Sequence, residues 1–221
     1  MKIKEGLLSA CAVAALLAGT AACTSGSGGG SGATTAALDA ACKNGTYEWF
    51  NIDRRDVLTS VAAKEKLGKG GGVLTNRPMV LHRPRVAVTL DKGARAGAAR
   101  TEAALLSLGA RIGETALDGA TEYAFADVDR PSPSNYRNRT EVLGAGTFVD
   151  YSWVNQVTAD FRYTCGTDKP VAGRATSWTI DGSGVLECGE TIPDAREDDP
   201  ARAAARLSCG PDAPASKIPK D

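Results

Sequence analysis

Six cysteines in a chain of 221 residues constrain the fold of this protein more than any other sequence feature. Their role depends on the compartment, because disulfides persist outside the cytoplasm and are rare inside it. The N-terminus therefore has to be interpreted first. Residues 1–22 begin with Lys2 and Lys4 and continue into an apolar run from Leu7 to Ala22. This pattern is typical of a secretory signal peptide, and the run is shorter than the ~20 residues of a membrane-spanning helix.

The segment that ends at Cys23 resembles a bacterial lipobox. Ala21 and Ala22 are the small residues expected before the cysteine, although Thr20 stands where leucine is usual. Cleavage here would leave an acylated Cys23 that attaches the chain to the lipid bilayer on the extracytoplasmic face of the cell membrane. Simple secretion and an uncleaved anchor are the alternatives. Residues 23–40 are rich in glycine and serine, which predicts a flexible tether.

Four thiols remain for the folded body once Cys11 leaves with the signal peptide and Cys23 is acylated. We expect them to form two disulfides, because the compartment is oxidising. A zinc site is disfavoured, since no CxxC pair exists and the single histidine, His82, is far from all four in sequence. The sequence therefore predicts no metal and no cofactor. The four disulfide cysteines are Cys42, Cys165, Cys188 and Cys209.

The alternation of apolar residues around these cysteines predicts strands. Residues 157–165 alternate apolar and polar side chains, which is typical of a half-buried strand. Residues 177–180 and 185–188 form two further strand-like runs. The sequence Asp-Gly-Ser-Gly at 181–184 separates them, and such residues favour a turn.

This arrangement favours one disulfide pairing among the three that four cysteines allow. If the three strands form a meander, Cys165 and Cys188 lie about two strand spacings of ~4.8 Å apart. A disulfide tolerates only ~4.4–6.8 Å between its Cα atoms. We therefore favour Cys188 with Cys209 and Cys42 with Cys165. A bond between Cys42 and Cys209 would contradict this assignment.

The length of the body, residues 41–210, is that of one domain. Residues 211–221 are polar and are expected to form a flexible tail. Four segments besides the three above are strand-like and bring the expected count to about seven strands. These four segments are residues 46–52, 85–90, 122–128 and 147–154.

Two helices are also predicted. Residues 98–108 carry apolar side chains at helical spacing, and Gly109 follows as a residue that tolerates a left-handed C-cap. The second helix has Asp199 as N-cap and Pro200 at its first position, and it runs to Gly210. The sequence thus predicts an α+β fold with a mainly antiparallel sheet, two short helices and disulfide staples.

Charge and catalytic motifs exclude several functions. The 26 basic and 26 acidic residues cancel, and loss of Lys2, Lys4 and Glu5 leaves 24 against 25, so bulk charge predicts no nucleic-acid partner. His82 is the single imidazole, and the motifs of serine hydrolases and zinc proteases are absent. What remains for catalysis is carboxylate chemistry.

The carboxylates beside predicted strands are Asp127, Asp129 and Asp160. A pair of them about 5 to 9 Å apart would suit a glycan hydrolase, and grouped carboxylates also bind calcium. The acidic group at 194–199 precedes the second helix, where the helix dipole favours negative charge. That structural role is the preferred interpretation of this group.

Two further patterns leave an alternative open. Residues 64–72, Lys-Glu-Lys-Leu-Gly-Lys-Gly-Gly-Gly, either present backbone N–H groups to an anion or mark a helix end that runs into a turn. Aromatic residues on the predicted strands either pack in the core or stack on sugar rings. These residues are Tyr47, Trp49, Phe50, Tyr151, Trp153, Tyr163 and Trp178.

Four stretches of the chain, 42–51, 64–72, 160–165 and 184–188, together resemble a family of uncharacterised secreted lipoproteins of high-GC, streptomycete-type Gram-positive bacteria. The resemblance covers most of residues 41–209. It implies a cell-surface lipoprotein and carries over no catalytic residues.

The sequence therefore predicts a lipid-anchored, extracytoplasmic, non-catalytic module that binds a protein or a glycan of the cell envelope. Two alternatives remain. One is a carboxylate-dependent hydrolase that acts on an envelope component, and the other is a structural spacer.

Overall fold

The computed structural model describes five parts of the chain, which are Cys42 and residues 45–114, 125–132, 140–193 and 199–218. Cys23 and the expected tether lie outside these described residues. None of the helices in the described ranges has the length and apolar character that crossing a bilayer requires.

Antiparallel strands dominate the described part of the chain, and two α-helices accompany them. The strands are β1 (Gly45–Val61), β2 (Glu65–Leu67), β3 (Gly72–Val73), β4 (Met79–Val80), β5 (Ala87–Leu90), β6 (Glu141–Val142), β7 (Gly146–Cys165) and β8 (Val171–Glu187). The helices are α1 (Ala98–Ile112) and α2 (Pro200–Ser208), with short 3-10 turns at Asp91–Gly93 and Pro214–Ser216. The predicted α+β fold with a mainly antiparallel sheet is confirmed.

Three long strands form the centre of the sheet. The strand order is β4-β1-β7-β8-β5, while β2 pairs with the start of β7, and β3 and β6 form a separate two-stranded sheet. β7 has 20 residues, which correspond to ~65 Å of extended chain, whereas strands in globular proteins usually have 5 to 6. The sheet is therefore long in the strand direction and only a few strands wide.

The predicted meander is wrong, because its three strands belong to one long hairpin. Residues 181–184 are not a turn but lie inside β8, opposite residues 151–154 of β7. Gly182 and Gly184 are there for packing: a Cβ on Gly182 would lie 2.6 Å from the Trp153 ring, and one on Gly184 would lie 2.6 Å from the Tyr151 hydroxyl. The glycines make room for aromatic rings on the neighbouring strand.

Both disulfides have the pairing that the sequence favoured, but the strands separate Cys165 from Cys188 in a different way from the predicted meander. Cys42–Cys165 and Cys188–Cys209 have Cα separations of 5.9 and 5.5 Å. Cys165 ends β7, whereas the N–H of Cys188 donates to the carbonyl of Thr147 near the start of β7. The 18 residue steps from 147 to 165 span ~60 Å of strand, so Cys165 and Cys188 lie at opposite ends of the hairpin.

Two hydrophobic clusters lie at the two ends of this sheet. The first, which we call the aromatic end, packs Tyr47, Trp49, Phe161 and Tyr163 with the buried residues of α1. The second, which we call the alanine end, packs strand residues such as Val149 with small residues of the C-terminal region. Those small residues are Ala201, Ala204, Ala205 and Ala215.

Two predicted elements need correction. α1 continues past Gly109 to Ile112, and Gly113, with φ of 80°, is its left-handed C-cap. The strand expected at 122–128 is wrong where the structure describes it, because Phe125 and Ala126 are helical and buried in the aromatic end. Residues 122–124 lie outside the described part.

The segment after Gly210 was expected to form a flexible tail, but it packs as far as Ser216. Ala215 is fully buried in the alanine end, and the hydroxyl of Ser216 donates to the carbonyl of Gly210. The packed body therefore extends beyond the predicted limit at residue 210.

Candidate functional site

The exposed face of the sheet at the aromatic end carries a row of polar and aromatic side chains. Phe50 of β1, Asp160 of β7 and Arg174 of β8 are direct neighbours in the strand register. Side chains alternate along a strand, so Asp160 points away from the cluster that contains Phe161. We call Asn51, Asp160, Arg174 and Phe50 together the Asp160 face.

A β-bulge in β1 brings Asn51 into this group. The register between β1 and β7 shifts between Phe50 and Asp53, and Asn51 has φ of 50°. Asparagine tolerates this left-handed conformation better than most residues, and bulges redirect side chains. The Asn51 Nδ2 donates to Asp160 Oδ2 at 2.9 Å.

Asp160 is held as an ionised carboxylate. Arg174 donates from Nε to Oδ1 at 2.7 Å and from Nη2 to Oδ2 at 3.2 Å, which is a two-point contact. These hydrogen bonds from Arg174, then the one from Asn51, and then the charge of Arg174 lower the pKa of Asp160 below its usual value. A general acid needs the opposite shift, so Asp160 is suited to orienting groups rather than to donating a proton.

The other predicted carboxylates do not join Asp160. Asp127 accepts the N–H of Asp129 at 2.9 Å within a local turn, and both residues are exposed. Phe125, two residues before Asp127, is buried in the aromatic cluster on the opposite face of the sheet from Asp160. Within the described ranges, no hydrogen bond or ion pair connects Asp160 to either of them.

A surface groove of about 450 Å³ runs along the Asp160 face. Phe50, Asp160 and Arg174 line it, together with Asp91 and Gly173. Phe50 is 38% exposed, which makes it the most accessible of the seven aromatic residues singled out in the sequence.

Charges on this face are paired rather than free. Beside Phe50, Arg162 forms an ion pair with Glu48 at 2.9 Å, and its guanidinium carbon lies 5.9 Å from the centroid of the Phe50 ring. Asp160 and Arg174 neutralise each other in the same way. The face around Phe50 is therefore polar and locally close to neutral.

The lysine- and glycine-rich segment 64–72 is not a helix end. Its first part is β2, which pairs with residues 146–148, and Gly71 turns with φ of 70°. Lys64 and Lys66 line a second groove of about 500 Å³, into which Glu187 also points. The mixed charge of that groove gives the anion interpretation little support.

The other residues singled out in the sequence, His82 and Asp199, make local contacts that belong to the fold. His82 is half-buried, and its Nε2 lies 3.2 Å from Oε1 of Gln156. Asp199 is the predicted N-cap of α2 and accepts the N–H of Ala201 at 2.8 Å, while residues 194–198 lie outside the described part. Among the described residues, no three His, Cys, Asp or Glu side chains converge as a metal site.

Asn51 and Arg174 belong to the Asp160 face, but the sequence did not predict them as candidate site residues. The one available signal for Asn51 was an asparagine between two apolar residues of a strand. Arg174 gave no signal, because its pairing with Asp160 depends on the register of the β7–β8 hairpin.

No known protein family, curated protein sequence or solved structure matches this chain.

Proposed function

We propose that this protein is a non-catalytic binding module of the cell envelope, that its Asp160 face binds a neutral glycan, and that an acylated Cys23 tethers it to the extracytoplasmic face of the cell membrane. The observation that carries the proposal is the Asn51–Asp160–Arg174 network beside the exposed ring of Phe50.

The paired charges match a ligand that is polar but uncharged. A free ion beside Phe50 would favour an oppositely charged partner, whereas the four charged residues of this network already form two ion pairs. Arg174 uses two of its five N–H donors on Asp160, so three remain for ligand oxygens. A sugar offers several hydroxyl groups that fit such donors.

The exposed ring supplies the apolar part of the contact. Sugar rings have C–H faces that pack on aromatic rings, and Phe50 presents its ring next to the polar network. Because mutual hydrogen bonds already fix Asp160 and Asn51, little side-chain entropy is lost on binding. The face thus combines apolar contact with oriented polar groups.

The same geometry argues against the hydrolase alternative. A glycosidase needs one carboxyl group that stays protonated at neutral pH, usually because it is buried. The lowered pKa of Asp160 is the reverse case. Asp91, the other carboxylate on the groove, is exposed.

The proposed location is supported by two independent features. The lipobox-like segment before Cys23 would attach the chain, and two disulfides suit an oxidising compartment. We expect Cys23→Ala to move the protein from the membrane fraction to the medium or periplasmic fraction. Retention in the membrane would contradict the lipid anchor.

Binding is tested with the purified chain and neutral oligosaccharides released from the cell wall, by titration calorimetry. We expect Phe50→Ala and Arg174→Gln each to weaken binding about tenfold, which corresponds to ~1.4 kcal/mol. Arg55→Gln is the matched control, because Arg55 is an exposed arginine of β1 with only a distant ion pair at 3.9 Å.

The expected result is that Arg55→Gln binds like the wild type. Equal binding by all four proteins would place the ligand elsewhere, and no binding of any wall oligosaccharide by the wild type would overturn the proposal.

A further inference from the structure

Arg100 is a buried cation whose charge no described carboxylate balances. The residue is only 7% exposed, and its guanidinium carbon lies 5.1 Å from the centroid of the Tyr163 ring. In the part of the chain that the structure describes, its Nε and Nη1 have no hydrogen-bond partner. Stacking on a tyrosine compensates only part of the desolvation of a guanidinium, and buried charges in proteins are normally paired.

Arg100 belongs to the first turn of α1, where the backbone also lacks a partner. The N-cap, Gly97, provides no side-chain hydrogen bond, and the first turn contains no acidic residue. The first hydrogen bond within the helix is donated by the N–H of Thr101 to the carbonyl of Gly97. The N–H groups before Thr101 therefore have no acceptor within the helix and point out of its end. Ala98 and Ala99 are exposed, which leaves this end open to an approaching group.

The second helix shows what is missing at the first. At α2, Asp199 places a carboxylate on the free N–H of Ala201. At α1, the buried Arg100 belongs to the first turn, at the positive end of the helix dipole, and no ion pair or acidic first-turn residue among the described residues supplies a negative charge there. Helical side chains lean toward the N-terminus of their own helix, which directs Arg100 to this end.

The surrounding polar groups are also hydrogen-bond donors. The Tyr163 hydroxyl accepts the N–H of Cys42 at 3.3 Å and keeps its own proton to donate. The Tyr47 ring lies 4.7 Å from the Tyr163 ring, and burial, followed by the neighbouring Tyr163, raises the pKa of Tyr47, which therefore stays protonated. A site that contains donors and one cation fits an anion.

We propose that Arg100 and the N-terminus of α1 form a binding site for one carboxylate group. One carboxylate neutralises one guanidinium, whereas a phosphate dianion would leave an excess negative charge in a buried place. This site lies on the opposite face of the sheet from the Asp160 face and is independent of glycan binding.

The carboxylate has two sources that share this chemistry. One is a separate ligand, such as the C-terminus of a peptide. The other is the chain itself, in which Asp39 is the one charged residue between Cys23 and Cys42.

The test measures the thermal midpoint, Tm, of the full chain at pH 7 in sodium acetate and in sodium chloride of equal ionic strength. We expect acetate to raise Tm by about 3 °C relative to chloride. Arg100→Gln should abolish this difference, while Arg111→Gln, which changes an exposed arginine of the same helix, should preserve it. A larger rise in inorganic phosphate than in acetate would overturn the assignment to a carboxylate.

A second variant keeps the proposal testable if Arg100→Gln does not fold. Ala98→Glu adds a carboxylate at the exposed start of α1. It should raise Tm in chloride and abolish the acetate response, whereas the neutral control Ala98→Gln should retain the response. An acetate response of equal size in both variants would contradict the site.

Asp39→Asn distinguishes the two sources. If the wild type responds to acetate, a separate ligand is supported. If the wild type does not respond but Asp39→Asn has a lower Tm and gains the response, the carboxylate of the chain itself is supported. If neither protein responds, the proposal is wrong.

Discussion

The aromatic end and the alanine end are built on the same three strands, but they pack in different ways. At the aromatic end, ring centroids lie 4.7 to 5.6 Å apart and fill the space between sheet and helix. At the alanine end, small side chains let α2 approach the sheet closely, and Ala204 and Ala205 are fully buried. Both the Asp160 face and the proposed carboxylate site lie at the aromatic end.

The two disulfides provide the largest expected difference between the ends. Cys42–Cys165 closes a loop with a sequence separation of 123 residues, and Cys188–Cys209 one of 21. In the chain-entropy description, their loss costs about 5 and about 3 kcal/mol of unfolding free energy. Replacing each pair by alanine and unfolding both proteins in guanidinium chloride, without reductant, measures this difference.

The order of the two losses is the decisive result. An equal or larger loss for the Cys188→Ala, Cys209→Ala protein would mean that loop length does not control the contribution of these bonds.

The second prediction concerns side-chain size. Phe161→Ala should cost about 3 to 5 kcal/mol, because it leaves a cavity among the packed rings. Ala204→Leu should cost about 1 to 3 kcal/mol, because α2 has no space for a larger side chain. Denaturant unfolding of both variants measures these values.

Ala110→Leu, at an exposed position of α1, is the matched control and should change the stability by less than about 0.5 kcal/mol. If Ala204→Leu is as mild as this control, the alanine end is loosely packed and the contrast between the ends fails.

The smallest expected difference between the two ends is in how the stability of the fold depends on pH. Hydrogen bonds from Arg174 lower the pKa of Asp160 in the folded protein. The ionised Asp160 therefore stabilises the fold fully above the pKa that it has in the unfolded chain, and this stabilisation is lost as the pH falls through its lower pKa in the folded protein. At the alanine end, burial raises the pKa of Asp150 in the folded protein. The stability therefore rises as the pH falls from this raised pKa to the pKa that Asp150 has in the unfolded chain.

The two asparagine variants separate these effects in thermal unfolding at pH 7 and at pH 4. Asp160→Asn should lower Tm at pH 7, and Asp150→Asn should raise it, each by about 1–3 °C. Changes of the same sign at pH 7 would contradict the opposite roles of the two carboxylates.

Local features of this fold were predictable from sequence. The cap formed by Asp199 and Pro200 depends on neighbouring residues and appears as expected. The aromatic and apolar composition of residues 46–52 and the alternation in residues 85–90 correctly indicated strands, which correspond to part of β1 and to β5. The cysteine pairing was also correct, since both the expected meander and the real hairpin separate Cys165 from Cys188.

Features that depend on contacts between strands were not predictable. Gly182 and Gly184 looked like a turn, because nothing local shows that Trp153 and Tyr151 cover them. The Asp160 face needs the register of two strand pairs and a bulge, and a single sequence encodes neither explicitly. The burial of Arg100 is a property of the packed α1 and was equally hidden.

The two disulfides have a mechanical consequence that follows from the hairpin. They give the body a short covalent path, which passes from Cys42 to Cys165, along β8 to Cys188, and on to Cys209. The 23 residue steps from 165 to 188 can reach at most ~80 Å, and β8 is already extended. A pulling force between Cys42 and the C-terminal segment would therefore be carried along this disulfide-linked path. The domain could lengthen only slightly before the path is fully extended.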